Sequence, residues 1–74
     1  MSQPVLKDHE VIKALKSYGF FIVRQKGSHV RLRHEDGRVV SVPFHSGQDI
    51  GKGLLRKILR DTELSLDDLL RALG

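Results

Sequence analysis

Residues 29–34 alternate between polar and apolar side chains, and this alternation constrains the fold more than any other feature. A period of two is typical of a strand with one buried and one solvated face. The outward positions are His29, Arg31 and Arg33, and the inward positions are Val30, Leu32 and His34. Turn signals stand on both sides, at Lys26-Gly27-Ser28 and at Asp36-Gly37. The segment is therefore predicted to be the middle strand of an antiparallel meander.

The flanking segments complete the order α-β-β-β-α-α. Apolar residues recur at helical spacing on both sides of the meander, and runs of β-branched or aromatic residues mark the other two strands. The predicted elements are a helix at 8–18 capped by Asp8, strands at 20–23 and 39–42, a loop at 44–49, a helix capped by Asp49 or Gly51, and a short helix at 65–73 capped by Ser65. Residues 1–7 are predicted to form a flexible arm. The predicted class is α+β, with a three-stranded antiparallel sheet, helices on one face, and a single domain over 1–74.

Charge is distributed unevenly along the chain. Residues 1–60 hold twelve Lys and Arg against five Asp and Glu, whereas residues 61–74 hold one Arg against four acidic residues, and the net charge is +4. A basic body suits a polyanion such as nucleic acid or an acidic partner protein, although ordinary solvation is an alternative. The absence of cysteine excludes thiol catalysis and cysteine metal sites. With no long apolar run and no secretory signal, the chain is predicted to be cytoplasmic and not to enter membranes.

His29 is the strongest candidate for chemistry. It follows Gly27 and Ser28 at the start of a predicted strand, and Lys26 and Arg31 lie on either side of it. Imidazole can accept or donate a proton near neutral pH, and neighbouring cations can stabilise negative charge on a reacting phosphate. Gly27 permits close backbone approach to a phosphate, and Ser28 can donate a hydrogen bond to it. The alternative is a half-exposed strand histidine beside a turn.

Further residues extend this candidate site. Arg24, Arg33 and Lys52 are predicted to bind substrate phosphates, Lys52 together with the N-terminus of the second predicted helix. A solvated sheet face is the alternative. The pattern of the first strand does not determine on which face of the sheet Arg24 lies. His45 is a candidate second catalytic group, and the spacing of His, Asp and Glu predicts no metal site. The three phenylalanines, Phe20, Phe21 and Phe44, are interpreted as core or rim residues and not as stacking platforms for bases.

Four segments carry a family resemblance. They are Val11–Leu15 followed by Gly19-Phe20, then Arg24–His29, then Val42-Pro43 with His45, and finally Asp49–Leu59. In this order and spacing, over residues 8–64, they resemble the HicA family of mRNA-cleaving toxins. The resemblance implies the fold of double-stranded-RNA-binding domains, whose α-β-β-β-α order the predicted elements match. It also implies that the histidine of Gly-Ser-His, His29 here, is catalytic.

The resemblance further implies the toxin of a type II toxin–antitoxin system. Such a toxin is a metal-independent endoribonuclease without a cofactor, and His29 would be its general acid or base. The implied partners are mRNA as substrate and a HicB-type antitoxin in a hetero-oligomer, with DNA contacted only through the antitoxin. Two alternatives remain open at this point. One is a non-catalytic RNA-binding module that uses the same basic face, and the other is an interaction domain for an acidic antitoxin.

Overall fold

The structure, a computed structural model, describes residues 5–74. The elements in chain order are β1 (Leu6–Lys7), α1 (Asp8–Ser17), β2 (Phe20–Lys26), β3 (His29–His34), β4 (Val39–Pro43), β5 (Asp49–Ile50), α2 (Lys52–Thr62) and α3 (Leu66–Leu73). β2, β3 and β4 form an antiparallel sheet with β3 in the centre, and β1 pairs with β5 in a separate antiparallel ribbon. The predicted α+β class and three-stranded antiparallel sheet are confirmed.

Alternation in β3 and β4 decides which face of the sheet is buried. The inward side chains of the two strands are buried, and they are Val30, Leu32, Val40 and Val42. α1 and α2 pack against the sheet on this side, and α3 packs against α1. Joining the apolar surfaces of helices and sheet in one core supplies the main stabilising contribution in a chain this short. The opposite face of the sheet remains open to solvent, as predicted.

The helices follow their predicted apolar stripes with one exception. α1 buries Val11, Ile12, Ala14 and Leu15, and α2 buries Leu55 and Ile58. In α3 only Leu69 is buried, whereas Leu70, another leucine of its apolar face, is 36 % exposed. α3 packs mainly against α1, so the face that it buries is narrower than its apolar stripe.

Capping residues determine where the helices begin and end. α1 ends at Ser17, close to the predicted end, and Gly19 follows at a φ of +93°. A Cβ atom at Gly19 would lie 2.9 Å from Nε2 of His34, so this position needs glycine for space as well as for its backbone conformation. Ser65 and Asp68 form the predicted capping box of α3. Gly51 is the N-cap of α2, one of the two predicted alternatives.

The short β1–β5 ribbon corrects two predictions. The flexible arm is wrong for Leu6 and Lys7, because Leu6 is buried and both residues pair with β5. Nζ of Lys7 also lies 3.0 Å from the carboxylate of Asp49. Asp49 and Ile50 therefore form a strand where the end of the 44–49 loop was expected. Two-residue strands are too short to show an alternating pattern in the sequence, and only the distant partner strand stabilises them. Residues 1–4 of the predicted arm lie outside the described residues.

Candidate active site

The central strand β3 presents three polar side chains to solvent. His29, Arg31 and Arg33 are exposed, and the residues between them are buried. The predicted outward orientation of these three side chains is confirmed. Because β3 lies between β2 and β4, its outward residues occupy the middle of the open face.

A β-bulge in β2 brings Arg24 to the same face. Ile22 pairs with Leu32 and Arg24 pairs with Arg31, so Val23 is an extra residue between the two pairs. In a regular strand, Arg24 would point to the same inward side of the sheet as Ile22, two residues before it. The extra residue reverses the parity and turns Arg24 outward beside Arg31. The question that the strand pattern left open is thereby settled.

Three rows of side chains cross the open face. Residues that pair directly across antiparallel strands point to the same side of the sheet. Row one is Lys26, His29 and Pro43; row two is Arg24, Arg31 and Ser41; row three is Phe21, Arg33 and Val39. Neighbouring strands lie about 4.8 Å apart, and successive rows about 6.8 Å apart. These nine residues, the basic face, unite His29 with four of the five predicted phosphate-binding cations.

A two-residue turn adjoins row one. Gly27 has a φ of +58°, and Ser28 is not among the residues with positive φ. This combination is that of a type II′ hairpin turn, which favours glycine at the first position. The carbonyl of Ser28 accepts a hydrogen bond of 2.5 Å from the N–H of Phe44, which ties the end of β4 to the turn. The Gly-Ser-His element is therefore held by β2, with which His29 pairs, and by the end of β4.

Asp8 joins the start of α1 to the loop after β4. Its carboxylate is 1 % exposed and accepts hydrogen bonds from the N–H groups of His9, His45 and Gly47, at 2.6, 2.7 and 3.1 Å. Burial raises the pKa of this carboxyl, but the backbone donors together outweigh burial, so that the pKa lies below its usual value. The ionised side chain holds the loop at two points, the N–H groups of His45 and Gly47.

This role of Asp8 corrects its predicted role as helix cap. The N-cap of α1 is Lys7, whose N–H donates to the carboxylate of Glu10 at 2.9 Å. An acidic residue at the start of a helix gives the same local signal whether it caps the helix or binds a distant loop. Because the partners of Asp8 lie at His45 and Gly47, no local pattern distinguishes the two roles.

His45 lies in the loop that Asp8 holds. Its side chain is exposed, and its backbone follows shortly after Pro43, the residue that pairs with His29 in row one. The structure thus brings the His45 loop to the end of the basic face where His29 stands. Lys52 is exposed at the first residue of α2, beyond β5, and belongs to none of the three rows.

Two other basic residues have structural partners around Phe20. Arg38 donates from Nε to the Asp36 carboxylate at 2.9 Å and from its guanidinium to the carbonyl of Thr62, and it lies 5.2 Å from the centre of the Phe20 ring. The His34 ring meets that ring edge-on, with centres 5.1 Å apart. The His34 ring therefore packs against the buried Phe20 at the end of β3.

The cations of the basic face are unpaired. Among residues 5–74, no ion pair includes Arg24, Lys26, Arg31 or Arg33. Positive charges without carboxylate partners, exposed on one side of a small protein, create a potential that attracts polyanions. Row one adds an imidazole to this field, so a side chain that can transfer protons stands beside the unpaired cations.

The basic face is open, and most of its side chains are exposed to solvent. A shallow cavity of about 180 Å³ adjoins rows two and three, where Lys57 and Asp61 of α2 face the edge of β4. Its volume is below the roughly 300–1,000 Å³ of sites that enclose small molecules. An open basic face suits an extended polymer better than a small ligand. Within residues 5–74, no helix is long and apolar enough to span a membrane, and no cluster of three or more His, Asp or Glu residues could hold a metal ion.

Comparison with known proteins identifies the family. A family model described as the HicA toxin of bacterial toxin–antitoxin systems matches residues 9–64. The chain belongs to the HicA toxin family. This match confirms the resemblance found in the sequence, and a comparison with curated proteins finds no match. Because the HicA family comprises toxins of toxin–antitoxin systems, membership implies an antitoxin as the partner.

The HicA match contains every residue of the basic face and its turn, together with His45 and Lys52. It ends before α3, which is nevertheless part of the core in this chain. Leu69 of α3 is fully buried, and the Tyr18 hydroxyl donates a hydrogen bond of 2.7 Å to the carbonyl of Asp68. α3 therefore stabilises the HicA fold from the side opposite the basic face.

Proposed function

We propose that this HicA protein is a metal-independent endoribonuclease that cleaves mRNA, with His29 as general acid or base. The observation that carries the proposal is row one, where His29 and Lys26 pair across the strands beside a glycine-containing turn. Imidazole transfers protons near neutral pH, and the adjacent ammonium group favours a bound phosphate. RNA supplies its own nucleophile, the 2′-hydroxyl, so the protein has to provide only proton transfer and charge stabilisation.

The proposed reaction is an internal transfer of the phosphodiester. His29 accepts the proton of the 2′-hydroxyl while the 2′-oxygen forms a bond to phosphorus. The bond from phosphorus to the 5′-oxygen of the next nucleotide breaks, and that oxygen takes up a proton. The products are a 2′,3′-cyclic phosphate and a 5′-hydroxyl. Negative charge rises on the non-bridging oxygens in the transition state, where nearby cations are most effective.

The substrate contacts follow from the rows. Lys26, Ser28 and Arg31 surround His29 and bind the scissile phosphate, and Gly27 lets the backbone approach it. Arg24 and Arg33 continue the track along the face. Lys52 lies outside the rows, and we propose that it contacts a more distant phosphate with the N-terminus of α2.

The second proton-transfer group is His45 or a water molecule. The hydrogen bond from the His45 N–H to Asp8 holds the loop near row one while leaving the imidazole exposed. A general acid has to lie within hydrogen-bond reach of the leaving oxygen, directly or through one water molecule. Asp8 therefore acts in this proposal as a positioning residue.

The proposed protein partner is a HicB-type antitoxin. Such a partner would inhibit the toxin by covering His29 and the basic face in a hetero-oligomer, and its acidic residues would replace the phosphates of RNA. The family match supports an antitoxin in general, and the four unpaired cations support an acidic contact surface. Contact with DNA would be made by the antitoxin only.

The test compares wild-type and His29→Ala proteins, with His9→Ala as a matched control because His9 is an exposed histidine on α1. We expect purified wild type and His9→Ala to cleave RNA, and His29→Ala to lose at least about a hundredfold in rate while still binding RNA. Products should carry a 2′,3′-cyclic phosphate. Inducible expression of wild type, but not of His29→Ala, should arrest growth and degrade mRNA.

Other outcomes separate the alternatives. RNA binding without any cleavage by the antitoxin-free wild type would favour the non-catalytic binding module. Products with a 5′-phosphate and a 3′-hydroxyl would reject attack by the 2′-oxygen. Weak RNA binding with little dependence on salt would indicate an interaction domain, because phosphate contacts produce a steep dependence.

A further inference from the structure

Phe21 is an aromatic side chain that the fold leaves on the basic face. It pairs with Arg33 in row three and is 48 % exposed, whereas the adjacent Phe20 is 2 % exposed in the core. Large aromatic rings gain more from burial than most side chains, so an exposed ring among cations is an informative exception. Of the phenylalanines interpreted as core or rim residues, Phe20 therefore lies in the core and Phe21 at its rim.

We propose that Phe21 is a stacking platform for a nucleobase, and that the substrate of the basic face is single-stranded RNA. The identity of the polymer rests on the proposed function. Row one receives the scissile phosphate beside His29. Row two receives the next phosphate between Arg24 and Arg31, and row three stacks a base on Phe21 while Arg33 contacts its backbone.

The spacing of the rows supports one nucleotide per row. Successive rows are about 6.8 Å apart, a distance comparable with that between phosphates of an extended RNA strand. Cations repeat at this interval on both β2 and β3, from Lys26 to Arg24 and from Arg31 to Arg33. Grooves that bind single strands combine such a charged track with aromatic rings on which bases stack.

The geometry disfavours a duplex. In double-stranded RNA the bases are paired inside the helix, and proteins recognise its shape and its phosphates. A ring at the level of the sheet surface cannot reach the flat side of a paired base. Only an unpaired base can turn onto Phe21 while its phosphates remain on the neighbouring cations.

Charge complementarity favours RNA over an apolar protein surface as the occupant of row three. The cross-strand partner of Phe21 is Arg33, and Arg24 points to the same side. These guanidinium groups form no ion pair within residues 5–74, so an apolar partner would bury them without compensation. A nucleotide supplies the base for the ring and the phosphate for the cations together.

The test measures base stacking directly. His29→Ala protein, with and without Phe21→Ala, is titrated with a short fluorescent single-stranded RNA and with its duplex. We expect Phe21→Ala to weaken binding of the single strand about tenfold and to leave binding of the duplex unchanged. The titration is repeated with RNAs in which one nucleotide in turn is abasic. At one position the missing base should weaken binding about tenfold when Phe21 is present and have no effect when it is absent.

Control variants separate stacking from other roles of the side chain. Phe21→Tyr keeps a ring and should bind as tightly as the parent protein. Phe21→Ile keeps an apolar side chain suited to a strand but has no ring, so it should bind like Phe21→Ala. Leu70→Ala removes exposed apolar surface from α3, far from the sheet face, and should not change binding. Thermal unfolding of each variant verifies the fold.

Three results would overturn the inference. They are equal effects of Phe21→Ala on single strand and duplex, additive effects of the abasic site and Phe21→Ala, and unchanged binding of the single strand by Phe21→Ala. Failure of the proposed function has a separate readout, because in that case the wild-type protein does not cleave RNA. In that case, coupling between Phe21 and the base would still establish the stacking site.

Discussion

The residues around His29 are close to it in the sequence, whereas the hydrogen-bond partners of Asp8 are mostly distant from it in the sequence. The exposure of His29 follows from the alternation within β3, and the neighbouring turn follows from Gly27 and Ser28, so local residues sufficed to predict its orientation. Asp8 forms the more extensive set of hydrogen bonds, but its partners are contributed by the loop at residues 45–48. A residue whose partners are close in space but distant in sequence leaves no periodic signal.

Neutralising Asp8 should loosen this loop. We expect Asp8→Asn protein to unfold at a lower urea concentration than wild type at pH 7, because an amide places a donor among backbone N–H groups. Folding lowers the pKa of Asp8, so its contribution to stability is present above the ordinary value of 3.8 and is lost as the pH falls through the lower value of the folded protein. The difference between the two urea midpoints should therefore shrink below pH 3.8.

Glu10→Gln is the matched control for Asp8→Asn. It removes a carboxylate from the same turn of α1 without touching the loop, since Glu10 accepts its hydrogen bond from Lys7. A midpoint difference for Asp8→Asn that persists unchanged below pH 3.8, or that Glu10→Gln reproduces, would contradict the role assigned to Asp8. If His45 is the second catalytic group, Asp8→Asn should also slow RNA cleavage, whereas Glu10→Gln should not.

Among the secondary-structure elements, β2 departs most from the pattern in its sequence. The run Phe20–Val23 predicted a strand, but β2 continues to Lys26 and contains the bulge. A bulge interrupts the period of two, so alternation cannot assign a face to the residues after it. The register that reveals the bulge is established by pairing with β3.

Two single-residue deletions test the bulge. Deleting Val23 should leave a regular strand in which Arg24 still faces Arg31, and deleting Arg24 should leave the same strand with Val23 in that place. We expect both proteins to fold with similar stability. In the His29→Ala background, the Arg24 deletion should reduce the slope of log binding constant against log salt concentration by about 0.7, and the Val23 deletion should preserve it.

The comparison is internally controlled, because both deletions remove the irregular geometry and only one removes the charge. Equal salt dependence after the two deletions would show that Arg24 does not contact a phosphate. Loss of binding in both would show that the local twist of β2, and not the cation, is what RNA requires.

The stability of the entire chain depends on a small core. A chain of 74 residues has a free energy of unfolding on the order of 4–11 kcal/mol. α3 lies outside the region of the family match but supplies Leu69 to this core and covers α1. The Ser65 cap predicted a short terminal helix, and the share of this helix in the core emerged from its packing against α1.

Leu69→Ala should therefore be costly and Leu70→Ala should not. Removing a fully buried leucine costs about 2–5 kcal/mol, which in a domain of this size lowers the midpoint of thermal unfolding by at least about 10 °C. Leu70 is its exposed neighbour and should change the midpoint by no more than a few degrees. Similar midpoints for the two variants, measured by circular dichroism, would show that α3 is peripheral to the core.

The order of the six longer elements, the α+β class, the open face with His29, Arg31 and Arg33, and the family follow from the amino-acid sequence. Each depends on local periodicity, turn residues or short motifs, and these act between residues that are near one another along the chain. The tertiary structure alone decided the β1–β5 ribbon, the loop contacts of Asp8, the outward turn of Arg24 and the exposure of Phe21. All four depend on register or on distant partners, because contacts between residues far apart in sequence form only when the chain is folded.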